Sequence, residues 1–215
     1  LSPTSGHRFR EDRPQHQRGG GGRPAGAPGP AYRRPGKPFA LHGAADHTAA
    51  VGTALVTGVS RRSSIGFAVA RRLLDRGDRV VVQSWAPHDA EQPWGGDDLA
   101  AVLAELGDPP HVSADLAEPA APGELVAAAR DAVGPLNTLV AAHARSAVGR
   151  LAEVTAAEVD LCFAVNARGS LLLTQAFAAQ YEPAAGPGAV VLFTSGQHRG
   201  PMSRELPYAI SKGAV

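Results

Sequence analysis

The chain has 215 residues, 44% of them apolar, with 21 Lys and Arg against 20 Asp and Glu, a net charge of +1 at neutral pH. Its single cysteine, Cys162, excludes an internal disulfide framework and a thiolate metal cluster. No apolar run reaches the ~18–20 residues that span a bilayer, and the basic-then-apolar layout of a secretory leader is missing, so the expectation is a cytoplasmic protein with no membrane partner.

Residues 1–50 stand apart from the rest. They hold eight Lys/Arg, three acids, seven prolines and the run Gly19 to Gly22, which leaves 13 basic and 17 acidic residues in 51–215. With so little to bury, 1–50 is expected to be a disordered basic tail. An Arg/Gly segment can hold RNA phosphates, but only Phe9, Tyr32 and Phe39 offer stacking surfaces and no motif repeats, so a solvated tail is expected and nucleic acid is not. The chain starts at Leu1 and stops at Val215 inside a helical pattern with no cap, so 51–215 is expected to be one domain, incomplete at its C-terminus.

From residue 51 the pattern alternates. Thr53 to Thr57 is a short apolar strand, and Ile65, Val69 and Leu73 begin a helical stripe that Gly77 stops. Arg79 to Gln83 is a second strand, followed by a Trp/Pro/Gly loop over 84–96 and a helix capped by Asp97 or Asp98 that runs through Leu106. His111 to Ala114 is a third strand, Pro122 to Val133 a helix, and Leu136 to Ala142 a fourth strand. Thr155-Ala156-Ala157-Glu158 is a capping box that opens one long helix to about Tyr181. Ala189 to Thr194 is a fifth strand, and helix resumes at Pro207. Short, continuous apolar strands alternating with helices imply a doubly wound α/β domain, a parallel sheet covered on both faces. Ligands then sit beyond the carboxyl ends of the strands, which places Gly58, Ser84, Asp115, Ala141 and Ser195 on one rim.

The turn Thr57-Gly58-Val59-Ser60-Arg61-Arg62-Ser63-Ser64-Ile65-Gly66 joins the first strand to the first helix. A helix N-terminus behind a glycine turn offers unpaired N–H groups and a favourable dipole to a phosphate, yet any strand-to-helix turn needs small residues too. The far end carries Ser195 and then Tyr208-Ala209-Ile210-Ser211-Lys212. Tyr and Lys four apart share a helix face, and a fixed ammonium favours the phenolate of a group that otherwise ionises near pH 10. Taken alone, the pair reads as an ordinary exposed helical pair.

Together these residues resemble the short-chain dehydrogenase/reductase family over roughly Thr53 to Val215. The resemblance rests on the glycine turn, Asp115-Leu116, Asn166 in Val165-Asn166-Ala167-Arg168-Gly169, Ser195 and Tyr208-x-x-x-Lys212, in the family's order and spacing. It implies a Rossmann-type fold and hydride transfer from a nicotinamide cofactor to a small-molecule carbonyl, or from the alcohol. In the catalytic set, Tyr208 would be the general acid/base, and Lys212 would hold the nicotinamide ribose and lower the Tyr208 pKa. Ser195 would bond the reacting oxygen, and Asn166 would kink its helix and anchor a relay water. The cofactor set would be Gly58, Ser60, Arg61, Arg62, Ile65, Gly66, Ser84, Asp115, Leu116 and Ala142, with Tyr208 and Lys212. Asp115 and Leu116 would meet the adenine.

The sequence departs from the family's pattern in the turn, where two extra residues intervene and Ser64 stands at the middle glycine, and in Ala141-Ala142-His143-Ala144, which replaces Asn-Asn-Ala-Gly. His143 is expected to be structural rather than catalytic. No acid follows Gly66 at the place that would bind the 2′-hydroxyl of NAD until Asp89, while Arg61 and Arg62 could grip a 2′-phosphate, so NADP(H) is favoured. The resemblance is nearest to 3-oxoacyl-carrier-protein reductases; enoyl-thioester reductases place Lys six residues after Tyr, where this chain has Ala214. His198 and Arg199 line the substrate entrance or are plain surface residues, Trp85 and Trp94 are loop packing or cofactor stacking, and Cys162 is core. A homodimer or homotetramer is implied for a complete protein. A catalytically inactive dinucleotide-binding or interaction module is the competing reading.

Overall fold

In the computed structural model, residues 51–196, 200 and 202–215 are described; the expected tail over 1–50 and both His198 and Arg199 lie outside them. Five strands form the sheet: β1 (Thr53–Thr57), β2 (Arg79–Ser84), β3 (His111–Ser113), β4 (Thr138–Ala141) and β5 (Ala189–Leu192). They run parallel in the order β3-β2-β1-β4-β5. The winding direction reverses between β1 and β4, and this opens a crevice beyond their carboxyl ends.

Side-chain alternation splits the core into two layers. Leu55, Val81 and Leu139 face one way, onto α4 (Ala121–Val133) and α6 (Ser170–Gln180), with Leu125, Val126, Ala129, Leu173 and Phe177. Ala54, Val56, Val80, Val82 and Val140 face the other, onto α1 (Ile65–Asp75) and α3 (Leu99–Glu105), with Phe67, Ala70 and Val102. Burial on both faces explains why β1, β2 and β4 read as continuous apolar runs.

Local chemistry sets the helix ends. The Ser64 hydroxyl accepts from Phe67 N–H at 3.0 Å, so the residue at the middle-glycine position is the N-cap of α1. Gly77, at φ +85°, closes α1 in the left-handed region. Thr155 caps α5 (Ala156–Cys162) by accepting from Glu158 N–H, half of the expected capping box.

Three expectations need correction. The 84–96 loop contains a short helix, α2 (Ala86–Ala90), which begins with a proline in its first turn. The long helix is not uniformly α-helical: between α5 and α6 the seven residues Phe163–Gly169 are π-helical, and Ser170 Oγ donates to the Asn166 carbonyl at 2.7 Å. A π segment inserts an extra residue per turn and turns a side chain that an α-helix would carry elsewhere, here buried Asn166. Finally, β5 is not covered on both faces, since Val190, Val191 and Leu192 are 40%, 42% and 39% exposed; it lies at the sheet edge and ends two residues earlier than expected.

The ends of β1 and β4 meet through Gly58 and His143. Gly58 sits at φ +75°, and a Cβ there would lie 2.8 Å from the Ala142 carbonyl and the His143 nitrogen. His143, buried, is held by Thr57 Oγ1 at Nδ1 (2.8 Å) and reaches the Val165 carbonyl from Nε2 (3.2 Å). A carbonyl only accepts, so Nε2 carries the proton and Nδ1 accepts from the Thr57 hydroxyl. Burial lowers the His143 pKa to about 4; the Val165 carbonyl opposes the shift and the Lys212 charge adds to it.

Two outcomes follow from this junction. Gly58→Ala combines a left-handed non-glycine residue with overpacking against backbone and should cost about 2–4 kcal/mol in urea unfolding. Between pH ~6.5 and about 4 the unfolded chain binds a proton that folded His143 refuses, so stability is full above pH ~6.5 and falls by up to about 3 kcal/mol on acidification. Urea unfolding across that pH range should show this slope, and His143→Gln should flatten it.

Candidate functional site

The crevice at the β1/β4 reversal forms a cavity of about 310 Å³. Gly58, Ser60, Arg61, Ser63, Ser64 and Ile65 of the glycine turn bound one side of it, and Asp115 and Leu116 after β3 bound another. Ala142, His143, Ala144, Arg145 and Ser146 after β4 form the far wall, with Leu161 and Val165 behind. Gly66 does not line it but sets its shape. A Cβ there would lie 2.6 Å from the Gly58 carbonyl, so only glycine lets α1 begin directly against the strand end.

The two arginines of the turn diverge. Arg61 stays on the cavity wall, with its guanidinium carbon 5.4 Å from the Trp94 ring centroid and Nε 2.9 Å from Asp89 Oδ1, an ion contact out of line for a hydrogen bond. Arg62 turns to α3, where its Nε lies 2.6 Å from Glu105 and Nη1 3.9 Å from Asp97. Ser84 ends β2 on the expected rim, but its buried hydroxyl meets His111 Nε2 at 2.9 Å and does not line the cavity. Asp115 lines the cavity while its Oδ1 accepts from Ala117 N–H at 2.9 Å and shapes its own turn.

Of the four residues expected to do the chemistry, Asn166 lies directly behind the far wall, against Arg145. Asn166, fully buried, receives Arg145 N–H at Oδ1 (2.7 Å) and donates from Nδ2 to the Arg145 carbonyl (3.0 Å) and to Ser211 Oγ (2.8 Å). This clamp fixes the β4 loop to α7 (Leu206–Lys212). Lys212 is only 3% exposed, and no carboxylate is bonded to it among the described residues. Burial lowers its pKa from the usual lysine value. Tyr208 stands one helical turn earlier on α7 and is half-buried. Ser195 lies in the loop three residues past β5, with its hydroxyl 3.7 Å from the Met202 sulfur. None of these four lines the cavity directly; Asn166 connects to it through Arg145, and the Lys212 charge is felt at His143.

Sequence reasoning did not single out Gln83. It is buried at the end of β2, its Oε1 accepts from Gly58 N–H at 3.0 Å, and its Nε2 donates to the Ala114 carbonyl at 2.7 Å, so it ties the turn to β3. The available signal was a glutamine directly after the three consecutive valines Val80 to Val82 of β2. His88 was also missed: it accepts Ser146 N–H at Nε2 (3.2 Å) and joins α2 to the β4 loop, and burial lowers its pKa. Cys162 is core as expected; burial raises its thiol pKa to about 11, which leaves it protonated at neutral pH. Among the described residues no group of His, Cys, Asp or Glu could hold a metal, and no helix is long and apolar enough to cross a membrane.

The chain matches the short chain dehydrogenase family over residues 52–215. The oxidoreductase YjdA of Bacillus subtilis, itself uncharacterized, is 29% identical over 163 residues, covering 75% of this chain and 64% of that protein. A short-chain type dehydrogenase/reductase of Picea abies is 32% identical over 174 residues, covering 75% and 60%. Among solved structures, a single-site variant of actinorhodin polyketide ketoreductase with NADPH superposes with a TM-score of 0.64 at 27% identity, covering 76% of this chain and 60% of that one. The chain thus spans less than two thirds of the length of these relatives. A parallel sheet that reverses at a glycine turn, a clamped asparagine and a buried lysine one turn past a tyrosine accompany this match, and the chain belongs to the short chain dehydrogenase family.

Proposed function

We propose that this chain carries the cofactor-binding and catalytic part of an NADP(H)-dependent oxidoreductase that interconverts a ketone, such as a 3-oxoacyl thioester, and a secondary alcohol. The observation that carries the reading is Lys212, an ammonium buried one turn after Tyr208 with no carboxylate bonded to it among the described residues. A buried cation without an anion is costly as structure and useful where it meets a ligand hydroxyl and a phenol.

The cradle fits a dinucleotide. Gly58 and Gly66 leave no room for a side chain, and the α1 N-terminus faces a cavity bounded by small residues at the sheet reversal. In this reading Gly58, Ser60, Ile65 and Ala142 surround the phosphates and near ribose, Gly66 shapes the cradle from behind, and Asp115 and Leu116 meet the adenine. Of the two arginines, Arg61 meets a 2′-phosphate, while Arg62 and Ser84 support the turn and strand from outside the cavity. When bound, the nicotinamide supplies or accepts the hydride.

The chain's residues handle the proton. Tyr208 protonates the substrate oxygen during reduction, and Lys212, one turn further along α7, supplies a positive charge on the same helix. The Ser195 hydroxyl donates to the same oxygen. The Asn166 side-chain amide is committed to Arg145 and Ser211, which supports a positioning role for it, holding α7 against the β4 loop. The ketoreductase among the solved relatives supports a carbonyl substrate. Exposed Phe163, Leu171 and Ile210 on the π segment, α6 and α7 support a homo-oligomer for the complete protein.

Tyr208→Phe in the complete protein should lower kcat for ketone reduction by roughly 10²–10⁴, followed as NADPH absorbance loss, while NADPH affinity changes little. An unchanged rate refutes the assignment. Cofactor binding without turnover by the parent protein on a panel of ketones favours the inactive dinucleotide-binding module.

A further inference from the structure

The adenosine side of the cavity holds a feature that the proposed chemistry does not use. Asp89 on α2 is 6% exposed, yet its carboxylate faces the cavity. It accepts a hydrogen bond from the Ser60 hydroxyl and another from Trp94 Nε1 at 3.1 Å, and it lies 2.9 Å from Arg61 Nε. Two of those partners, Ser60 and Arg61, belong to the glycine turn; the third, Trp94, lies past α2 with the Arg61 guanidinium over its ring. Asp89 therefore joins a segment that leaves β2 to the turn that follows β1.

We infer that Asp89 is a specificity-determining residue that opposes Arg61 and sets the balance between a dinucleotide with a 2′-phosphate and one with a 2′-hydroxyl. The inference rests on the dinucleotide reading above.

The reasoning is electrostatic. Among the described residues, Arg61 and Arg145 are the arginines that line the cavity, and Arg145 is held by Glu158 at 3.1 Å. Arg62 is committed to Glu105 outside the cavity. Arg61 is thus the one guanidinium at the turn able to meet a 2′-phosphate, and Asp89 already balances its charge. A 2′-phosphate brings close to two negative charges beside a carboxylate that is largely shielded from water, where screening is weak. A 2′-hydroxyl brings none and needs no release of Arg61. Asp89 acts here through the charge of Arg61, from a helix beyond β2, and not as a strand-end acid that binds the ribose directly. Its three contacts also fix it in place, so its charge cannot swing away when a phosphate arrives.

The test is the ratio of NADPH to NADH affinity, read by nucleotide fluorescence titration on the full chain, with circular dichroism and thermal melts to confirm folding. Asp89→Asn keeps one acceptor oxygen, for Trp94, and offers an amide N–H to the Ser60 oxygen, but removes the charge, and should raise the preference for NADPH by roughly tenfold or more. Asp89→Glu keeps the charge and should hold the ratio within about threefold of the parent. Arg61→Ala leaves Asp89 alone against the phosphate and should lower the ratio by roughly tenfold, which keeps the test decisive if Asp89→Asn does not fold. An Asp89→Asn ratio that is unchanged or lower, or an Arg61→Ala ratio equal to the parent's, overturns the inference while leaving the cofactor reading intact. A parent chain that binds neither nucleotide overturns both.

Discussion

The site depends on how closely the end of β1 approaches the end of β4. Gly58 touches the Ala142 carbonyl with no room for a Cβ, and next to it Thr57 and His143 share a buried hydrogen bond. That contact places the glycine turn, the β4 loop and the π segment within one polar network. Thr57 holds His143, His143 donates to the Val165 carbonyl, Asn166 clamps Arg145, and Ser211 ties α7 to Asn166. Such a network is worth its desolvation only when every member is satisfied, and here each of these groups has a partner.

His143 shows how a departure from a family's usual residues can be absorbed. An imidazole stands where the family commonly has alanine, yet it is neutral, with its tautomer fixed by the Val165 carbonyl. It adds a rigid link between β1 and the π segment without adding charge. The positive charge in this region then belongs to Lys212, and the same burial that keeps the imidazole neutral weakens the ammonium's hold on its proton.

Much of the fold was legible because its signals are local. β1 was read with its observed bounds, α1 from its first residue, and α3 with two candidate caps, Asp97 and Asp98, of which Asp98 is the one used, since apolar runs and capping hydroxyls or carboxylates act within a few residues. The π segment was legible only as the kink at Asn166 that the family resemblance implies, not from the local pattern. Its sequence, Phe163 to Gly169, carries an ordinary helical rhythm, and its register is set by contacts of Asn166 with the β4 loop and α7, 21 and 45 residues away. Helix α2 was hidden by a loop-like composition, and the half-exposed face of β5 by a strand that reads as buried.

The sequence by itself determined the alternation of strands and helices, the glycine turn between β1 and α1, and the one-turn spacing of Tyr208 and Lys212, because periodicity, caps and glycine conformations are properties of neighbouring residues. Only the tertiary structure decided which side chains reach the cavity. Arg61 and Arg62 are adjacent and chemically identical, yet one faces the crevice beside Asp89 and Trp94 while the other pairs with Glu105 on α3. The reason is that their partners lie 28 to 43 residues away in sequence, and it is the folding of α2 and α3 onto the sheet that brings each carboxylate to its guanidinium.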